Sequence, residues 1–353
     1  MSRFWNANTR GIIPYVPGEQ PKEGIFIKLN TNENPYPPSP KVADIIRNMD
    51  PSLLRLYPKP DGDPLKKAVS EYCGVSENEV FVGNGSDEVL ALIFKAFFDN
   101  STTVAFPDIT YSFYPVYCRL FGIPYLQIPL KDDFSIDLAD YPSHVRGVIF
   151  TNPNAPTGLF VDTRVIEDFL KSRPDTLVVV DEAYVDFGCT SCAGLVSMYD
   201  NLLVVQTLSK SRSLAGLRIG YAIGNVSLIE GLKRVKDSFN SYPVDTIAQL
   251  AGAAAIKDKD YFETVRNMII ETRERTKEIF RNMGLTVTDS KANFLFVRIP
   301  GIPGPSALEK LRKKGILVRN FNTGRISDYL RITVGTDDEM AKVVESIKAI
   351  MAE

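Results

Sequence analysis

The 353-residue chain carries 41 lysine and arginine residues against 43 aspartate and glutamate, a formal net charge of −2. So balanced a charge leaves no electrostatic footprint for nucleic acid or an anionic membrane, and recognition has to be local. The length exceeds one typical domain and predicts two, or one large unit with a lobe.

Residues Met1 to Arg10 lack an apolar core of signal-peptide length and no later segment reaches a membrane-spanning run, which predicts a cytoplasmic protein. The proline-rich stretch from Pro14 to Pro40 has no periodicity and is expected to wrap over other surfaces. From about residue 79 the elements run strand, turn, helix, repeatedly, which argues for a mostly parallel sheet covered by helices. Glu79 to Gly83 reads as a strand that enters the turn Asn84-Gly-Ser-Asp-Glu88 and then an apolar helix to Phe98. Gly147 to Phe150 enters Thr151-Asn-Pro-Asn-Ala-Pro-Thr-Gly158, and Thr176 to Val180 enters Asp181-Glu-Ala-Tyr184. Asn201 to Gln206 leads to Thr207-Leu-Ser-Lys210, with Arg218 eight residues beyond the lysine. Four strands thus deliver turns, a carboxylate, a phenol and an amine to one sheet edge, where α/β folds hold ligands.

The C-terminal third changes character. An amphipathic helix from about Tyr261 to Asn282 ends at Gly284, a C-cap signal, and the short strands 293–297, 315–318 and 329–333 precede a last helix from about Asp337. The expected architecture is a three-layer α/β/α unit with a mixed, mostly parallel sheet at 41–245, a smaller α+β domain at 246–353, and an N-terminal segment at 1–40. Cys73, Cys118, Cys189 and Cys192 are too few for a disulfide framework; Cys189-Thr-Ser-Cys192 has a metal-like or redox-like spacing, but there is no second pair and His144 is the one histidine. No metal site is expected.

The chemistry is carried by an amine and an acid. Lys210, placed where a buried strand leaves the sheet, loses its charge more easily than a lysine in water and can form an imine with a carbonyl. Pyridoxal phosphate is the obvious carbonyl, with Ser209 and Arg218 available for its phosphate, although Ser-Lys-Ser-Arg-Ser also reads as a solvated loop opening a helix. Asp181 at the end of an apolar strand needs a cation, which a protonated pyridine nitrogen supplies; a helix-capping aspartate is the plainer alternative. Tyr184 could donate to the cofactor's phenolic oxygen. Gly85, Ser86 and Asp87 open a helix whose free N–H groups favour an anion, and the turn is equally an ordinary strand-to-helix connection. Tyr111 could stack on a flat ring or belong to the core.

Leu29-Asn-Thr-Asn-Glu-Asn-Pro-Tyr36, Leu56-Tyr-Pro58, Gly83-Asn-Gly-Ser-Asp-Glu88, Asn152-Pro-Asn-Ala-Pro-Thr-Gly158, Asp181-Glu-Ala-Tyr184, Leu208-Ser-Lys210 with Gly216-Leu-Arg218, Ala292-Asn-Phe294 and Leu330-Arg-Ile-Thr-Val-Gly335 together resemble the fold-type-I, class I/II aminotransferases, most closely the histidinol-phosphate aminotransferase group. The resemblance runs over nearly the whole chain. It implies Lys210 as the lysine that binds pyridoxal 5'-phosphate and carries the proton, Asp181 on the ring nitrogen and Tyr184 on the ring oxygen. Around the phosphate it implies Ser86, Asp87, Ser209 and Arg218, joined in a homodimer by Tyr57 from the neighbouring subunit. For substrate it implies Arg331 on the carboxylate of glutamate, and Arg331 with Arg319 and Tyr15 on the phosphate of histidinol phosphate. The reaction so implied exchanges histidinol phosphate and 2-oxoglutarate for imidazole acetol phosphate and glutamate, in histidine biosynthesis. Transamination of an aromatic amino acid, decarboxylation of a phosphorylated amino acid on the same scaffold, and a non-catalytic cofactor-binding module are the alternatives. One departure is Ala155, where relatives carry the asparagine that bonds the ring oxygen; Asn154 is the nearest substitute.

Overall fold

A computed structural model describes residues 2–16, 18–20 and 26–353; the parts of the N-terminal segment at 1, 17 and 21–25 lie outside it. In chain order the first elements are helix α1 (Ala7–Gly11), strand β1 (Ile27–Lys28) and helices α2 (Pro40–Asn48) and α3 (Asp63–Cys73). There follow β2 (Val80–Asn84), α4 (Gly85–Phe97), β3 (Val104–Pro107), α5 (Tyr114–Phe121), β4 (Tyr125–Ile128), β5 (Gly147–Thr151), α6 (Thr163–Ser172), β6 (Leu177–Asp181), β7 (Leu202–Thr207), β8 (Ile219–Gly224), α7 (Val226–Phe239) and α8 (Thr246–Lys257). The chain closes with α9 (Lys259–Asn282), β9 (Thr286–Val287), β10 (Phe294–Arg298), α10 (Gly304–Lys313), β11 (Ile316–Leu317), β12 (Arg319–Asn320), β13 (Tyr329–Thr333) and α11 (Asp337–Ala352).

Seven strands form one sheet in the order β2-β8-β7-β6-β5-β3-β4. Their apolar runs are continuous because both faces are covered. Val148, Phe150, Val178, Val180, Leu202 and Val204 enter one core, and the alternate residues Ile149, Val179, Leu203 and Val205 enter a second on the other face. All neighbours are parallel except at β8, which is antiparallel to both β2 and β7. In the sequence Gly216 to Gly220 stands out only as a motif, and this strand was missed. Its consequence is positional: the start of β8 lies at the same edge as the ends of the parallel strands, so the register pairs Asn84 with Ile219, and Thr207 with Gly220.

The smaller α+β unit has a four-stranded antiparallel sheet, β12-β13-β10-β9, with β1 pairing in parallel to β11 beside it. Its core joins Phe280 of α9 with Leu295, Val297, Leu311, Ile332, Val343 and Ile347. Helix α9 stops where Gly284 takes φ +85°, and its N–H bonds to Arg281 O at 2.9 Å while Leu285 N–H returns to Phe280 O. Helix α11 starts with a capping box in which Thr336 and Glu339 satisfy each other's backbone N–H. Helix α8, just past residue 245, packs on α2 and α3 and gives Ala248, Ala251, Ala255 and Ile256 to the large sheet's core. A further cluster of Ala155, Tyr184, Phe187, Ile269, Phe294 and Val334 ties the two units together beside the strand ends. Among the described residues no helix is long and apolar enough to cross a membrane, and no group of three or more His, Cys, Asp or Glu could hold a metal.

Candidate active site

The strand ends open on a cavity of about 360 Å³ lined by Lys210, Asp181, Tyr184, Ser86, Asp87, Tyr111, Ser209 and Arg218, and on its other side by Tyr15, Arg319 and Arg331. Asp181 and Thr151 are register partners on adjacent strands, so β5 and β6 bring the Thr151–Gly158 turn beside the acid. Asp181 is 2 % exposed and has no ion-pair partner among the described residues. Burial pushes its carboxyl up to about 7, against which the Ala183 N–H and the Tyr114 hydroxyl donate to it. Such an acid suits a ligand that arrives with positive charge.

Lys210 leaves β7 just past Thr207. Burial first, and then the charge of Arg331, bring its ammonium down to about 8. Its Nζ donates to the Thr31 carbonyl at 3.0 Å, and the Asn34 amide donates to the Lys210 carbonyl at 3.0 Å, so the segment 31–34 fixes this lysine from outside the sheet. Tyr184 is buried, and burial raises its phenol; the Asn32 amide donates to its hydroxyl at 2.9 Å. Asn32 is held in turn by Thr333 and Asn293, and has φ +57°.

The anion cup is built by close backbone approach. Gly85 opens α4 with φ +81°, and a Cβ there would meet Arg218 Nη2 at 2.5 Å. A Cβ on Gly220 would meet Ser86 N at 2.3 Å. Glycine at both positions lets Arg218 and the α4 N–H groups converge. Arg218, a non-glycine residue in the left-handed region at φ +51°, is held there while Nη2 donates to Asp87 Oδ2 at 3.1 Å. Asp87 also accepts from the Tyr111 hydroxyl at 2.6 Å. Ser209 is buried, its N–H and hydroxyl both bonded to Thr207 Oγ1. The buried acid, the desolvated amine, the cup and the flat Tyr111 ring beside it fit a phosphorylated pyridine aldehyde, the donor set matching each polar feature of that group.

On the far side Arg319 and Arg331 are register partners on β12 and β13, like charges placed side by side. Neither forms an ion pair among the described residues: Arg319 donates to Val16 O and Arg331 to Asn30 O, and Arg331 Nε is buried without a partner. Burial depresses the Arg331 pKa, and the charge of Arg319 adds to this. Tyr15 stacks on Phe113 at 4.3 Å.

One expected contact falls elsewhere. Asn154 does not line the cavity: it is fully buried, its Oδ1 accepts from Thr110 and Thr151, and its Nδ2 donates to Ile109 O and Thr157. Its amide is consumed inside the turn, and Ala155 lines the cavity instead. Tyr57 is 83 % exposed, stacked on Tyr242, and outside this chain's cavity. Conversely, Asn32 and Tyr114 were missed. Asn32 lies inside the Leu29–Tyr36 motif and Tyr114 three residues beyond Tyr111, but only the fold shows that they bond Tyr184 and Asp181.

Residues 24–347 match the family described as Aminotransferase class I and II. The chain is 52 % identical over 352 residues to the histidinol-phosphate aminotransferase of Clostridium acetobutylicum, covering 100 % of both, and 52 % identical over 347 residues to that of Pseudomonas syringae pv. syringae, covering 98 % of this chain and 99 % of the relative. The solved histidinol-phosphate aminotransferase of Sinorhizobium meliloti, in complex with pyridoxal-5'-phosphate, shares the fold at a TM-score of 0.89, with 23 % identity and 99 % of each chain covered. The chain therefore belongs to the class I and II aminotransferases and, among them, groups with the histidinol-phosphate aminotransferases.

Proposed function

We propose that this protein is a pyridoxal 5'-phosphate-dependent transaminase that exchanges histidinol phosphate and 2-oxoglutarate for imidazole acetol phosphate and glutamate. The observation that carries the reading is one cavity with two separate cationic regions. Arg218 and the α4 N-terminus occupy one end, and Arg319 and Arg331, without carboxylate partners, the other. A cofactor phosphate accounts for the first; the second suits a substrate's own anion. A planar guanidinium accepts a carboxylate or a phosphate equally well, so one pair of arginines serves glutamate in one half-reaction and histidinol phosphate in the other.

When bound, pyridoxal 5'-phosphate supplies a carbonyl to exchange with the amino group and a ring that accepts electrons. Asp181 provides the negative charge beside the ring nitrogen. Tyr184, fixed by Asn32, presents its hydroxyl to the ring oxygen. Lys210, with its proton affinity lowered into the physiological range, would take the proton from the substrate's α-carbon and deliver it to the cofactor's former carbonyl carbon. Gly85, Ser86, Asp87, Ser209 and Arg218 hold the phosphate, and Tyr111 covers the ring. Arg331, Arg319 and Tyr15 orient the substrate tail. The exposed Tyr57 is read as a contribution to the cavity of a second copy in a homodimer. The setting is histidine biosynthesis in the cytoplasm. The division at residues 40 and 245 is kept as the proposed domain plan, with α8 packing on the large unit.

Turnover of histidinol phosphate and of phenylalanine, each with 2-oxoglutarate, tests the substrate. The expected result is a strong preference for histidinol phosphate; preference for phenylalanine would move the reading to an aromatic aminotransferase.

A further inference from the structure

Helix α5 begins in a run of aromatic residues whose phenols all end on site carboxylates or their backbone. Tyr111, just before α5, and Tyr114 and Tyr117 within it recur at a spacing of three, with the Tyr114 N–H bonding to Tyr111 O at 3.3 Å and the Tyr117 N–H to Phe113 O at 2.9 Å. The Tyr111 hydroxyl donates to Asp87 Oδ1, the Tyr117 hydroxyl to the Asp87 carbonyl at 2.8 Å, and the Tyr114 hydroxyl to Asp181 Oδ2 at 3.1 Å. Tyr114 is completely buried, with its ring centroid 5.7 Å from that of Phe106, 5.8 Å from Tyr111 and 6.3 Å from Phe94, so the hydroxyl has a fixed address.

We infer that Tyr114 is a positioning residue that favours the ionised form of Asp181 and aims it into the cavity, while Tyr111 and Tyr117 set the phosphate end through Asp87. The inference rests on the reading of Asp181 as partner of the cofactor's ring nitrogen. Asp181 receives two hydrogen bonds, one to each oxygen, from Ala183 N–H and from Tyr114. Burial and the neighbouring Asp181 charge hold the Tyr114 phenol far above its ordinary range, so it stays protonated and can donate to the ionised carboxylate. A permanent donor at Oδ2 stabilises the carboxylate over the acid. The charged and titratable groups that face Asp181 are Asp87 from α4, Tyr114 and Tyr117 from α5, and Tyr184 beyond β6. Asp87 opposes its ionisation, whereas Tyr114 is the side chain that favours it.

The test compares Tyr114→Phe with Tyr117→Phe in the cofactor-loaded enzyme and, for phosphate binding, in the cofactor-free protein. In Tyr114→Phe the acidic limb of kcat, and the pH titration of the bound cofactor's absorbance, should move to higher pH by about one pH unit. The affinity of the cofactor-free protein for inorganic phosphate should stay the same. In Tyr117→Phe the phosphate affinity should fall by a few-fold and the acidic limb should stay. An unmoved limb in a folded, cofactor-binding Tyr114→Phe overturns the inference, as does an equal loss of phosphate affinity, which would mean that the whole wall had loosened. Should Tyr114→Phe fail to fold, 3-fluorotyrosine at position 114, a stronger donor, should move the limb to lower pH, and no movement overturns the inference. A wild-type protein that binds no pyridoxal 5'-phosphate would instead sink the functional reading itself.

Discussion

The cavity's two walls are built on different principles. The wall carrying Asp181, Lys210 and Ser86 consists of residues at or just beyond strand ends, placed first by backbone register: Thr151 opposite Asp181, Thr207 opposite Gly220, Asn84 opposite Ile219. The wall carrying Tyr15, Arg319 and Arg331 joins segments about 300 residues apart in the chain, through contacts such as Arg319 with Val16 O and Arg331 with Asn30 O. One wall buries an acid and an amine, Asp181 and Lys210, which suits a resident cofactor. The other leaves two cations side by side without acids, which suits an anion that comes and goes. Chemistry and specificity are thus separable by mutation.

The sharpest separation is expected at Lys210. Replacement by alanine should lower kcat by about three orders of magnitude or more, since the proton carrier is removed, while the arginine wall still binds substrate; rapid-mixing kinetics would read both. Loss of substrate affinity in step with kcat would break the division. Asp181 gives a prediction about stability rather than rate. Its carboxyl is raised from 3.8 in the unfolded chain to about 7 in the cofactor-free fold. Between those values the unfolded state has released its proton and the native state has not, so stability falls as pH rises. The loss approaches about 4 kcal/mol above pH 7, because each tenfold difference in proton affinity is worth about 1.4 kcal/mol. Asp181→Asn should flatten this slope in urea unfolding at about pH 5 and 7.5 without cofactor, and should destroy most of the activity. The buried Glu182, also raised to about 7, contributes a slope of the same sign that Asp181→Asn leaves in place.

The same contrast decides what could be read from sequence. Strand-end residues announce themselves, because an apolar run such as Thr176 to Val180 ending in Asp181 specifies both the strand and the edge. Arg319 and Arg331 do not: beside short strands they look like ordinary surface charges, and only resemblance to a family singled them out. Strand β8 was not assigned, because its residues Ile219 to Gly224 directly follow the Gly216-Leu-Arg218 motif with no turn signal to set them apart. Asn32 and Tyr114 were out of reach for a different reason. Their partners, Tyr184 and Asp181, lie 152 and 67 residues away, and nothing local specifies such a pairing.

The arginine wall can be probed without touching the other. Arg331→Lys keeps the charge but loses the planar fork, so kcat/KM for glutamate and for histidinol phosphate should both fall about 10- to 100-fold. Cofactor affinity, measured by equilibrium dialysis, should be unchanged. A loss confined to one substrate would mean that the two anions do not share a place.

The smallest functional effect is expected at Asn154, which sits beneath the cofactor wall rather than on it. Its amide joins Thr110, Thr151, Thr157 and the Ile109 carbonyl, and Thr151 Oγ1 accepts from the Ala155 N–H at 3.0 Å, so the network shapes the turn that presents Ala155. Asn154→Ala leaves buried donors and acceptors without partners and should lower stability by about 1–3 kcal/mol. Because no atom of Asn154 lines the cavity, the bound cofactor's absorbance and its dissociation constant should stay as in the wild type. A shifted spectrum with unchanged stability would put the amide back on the ring oxygen and move this residue from the support of the wall to its surface.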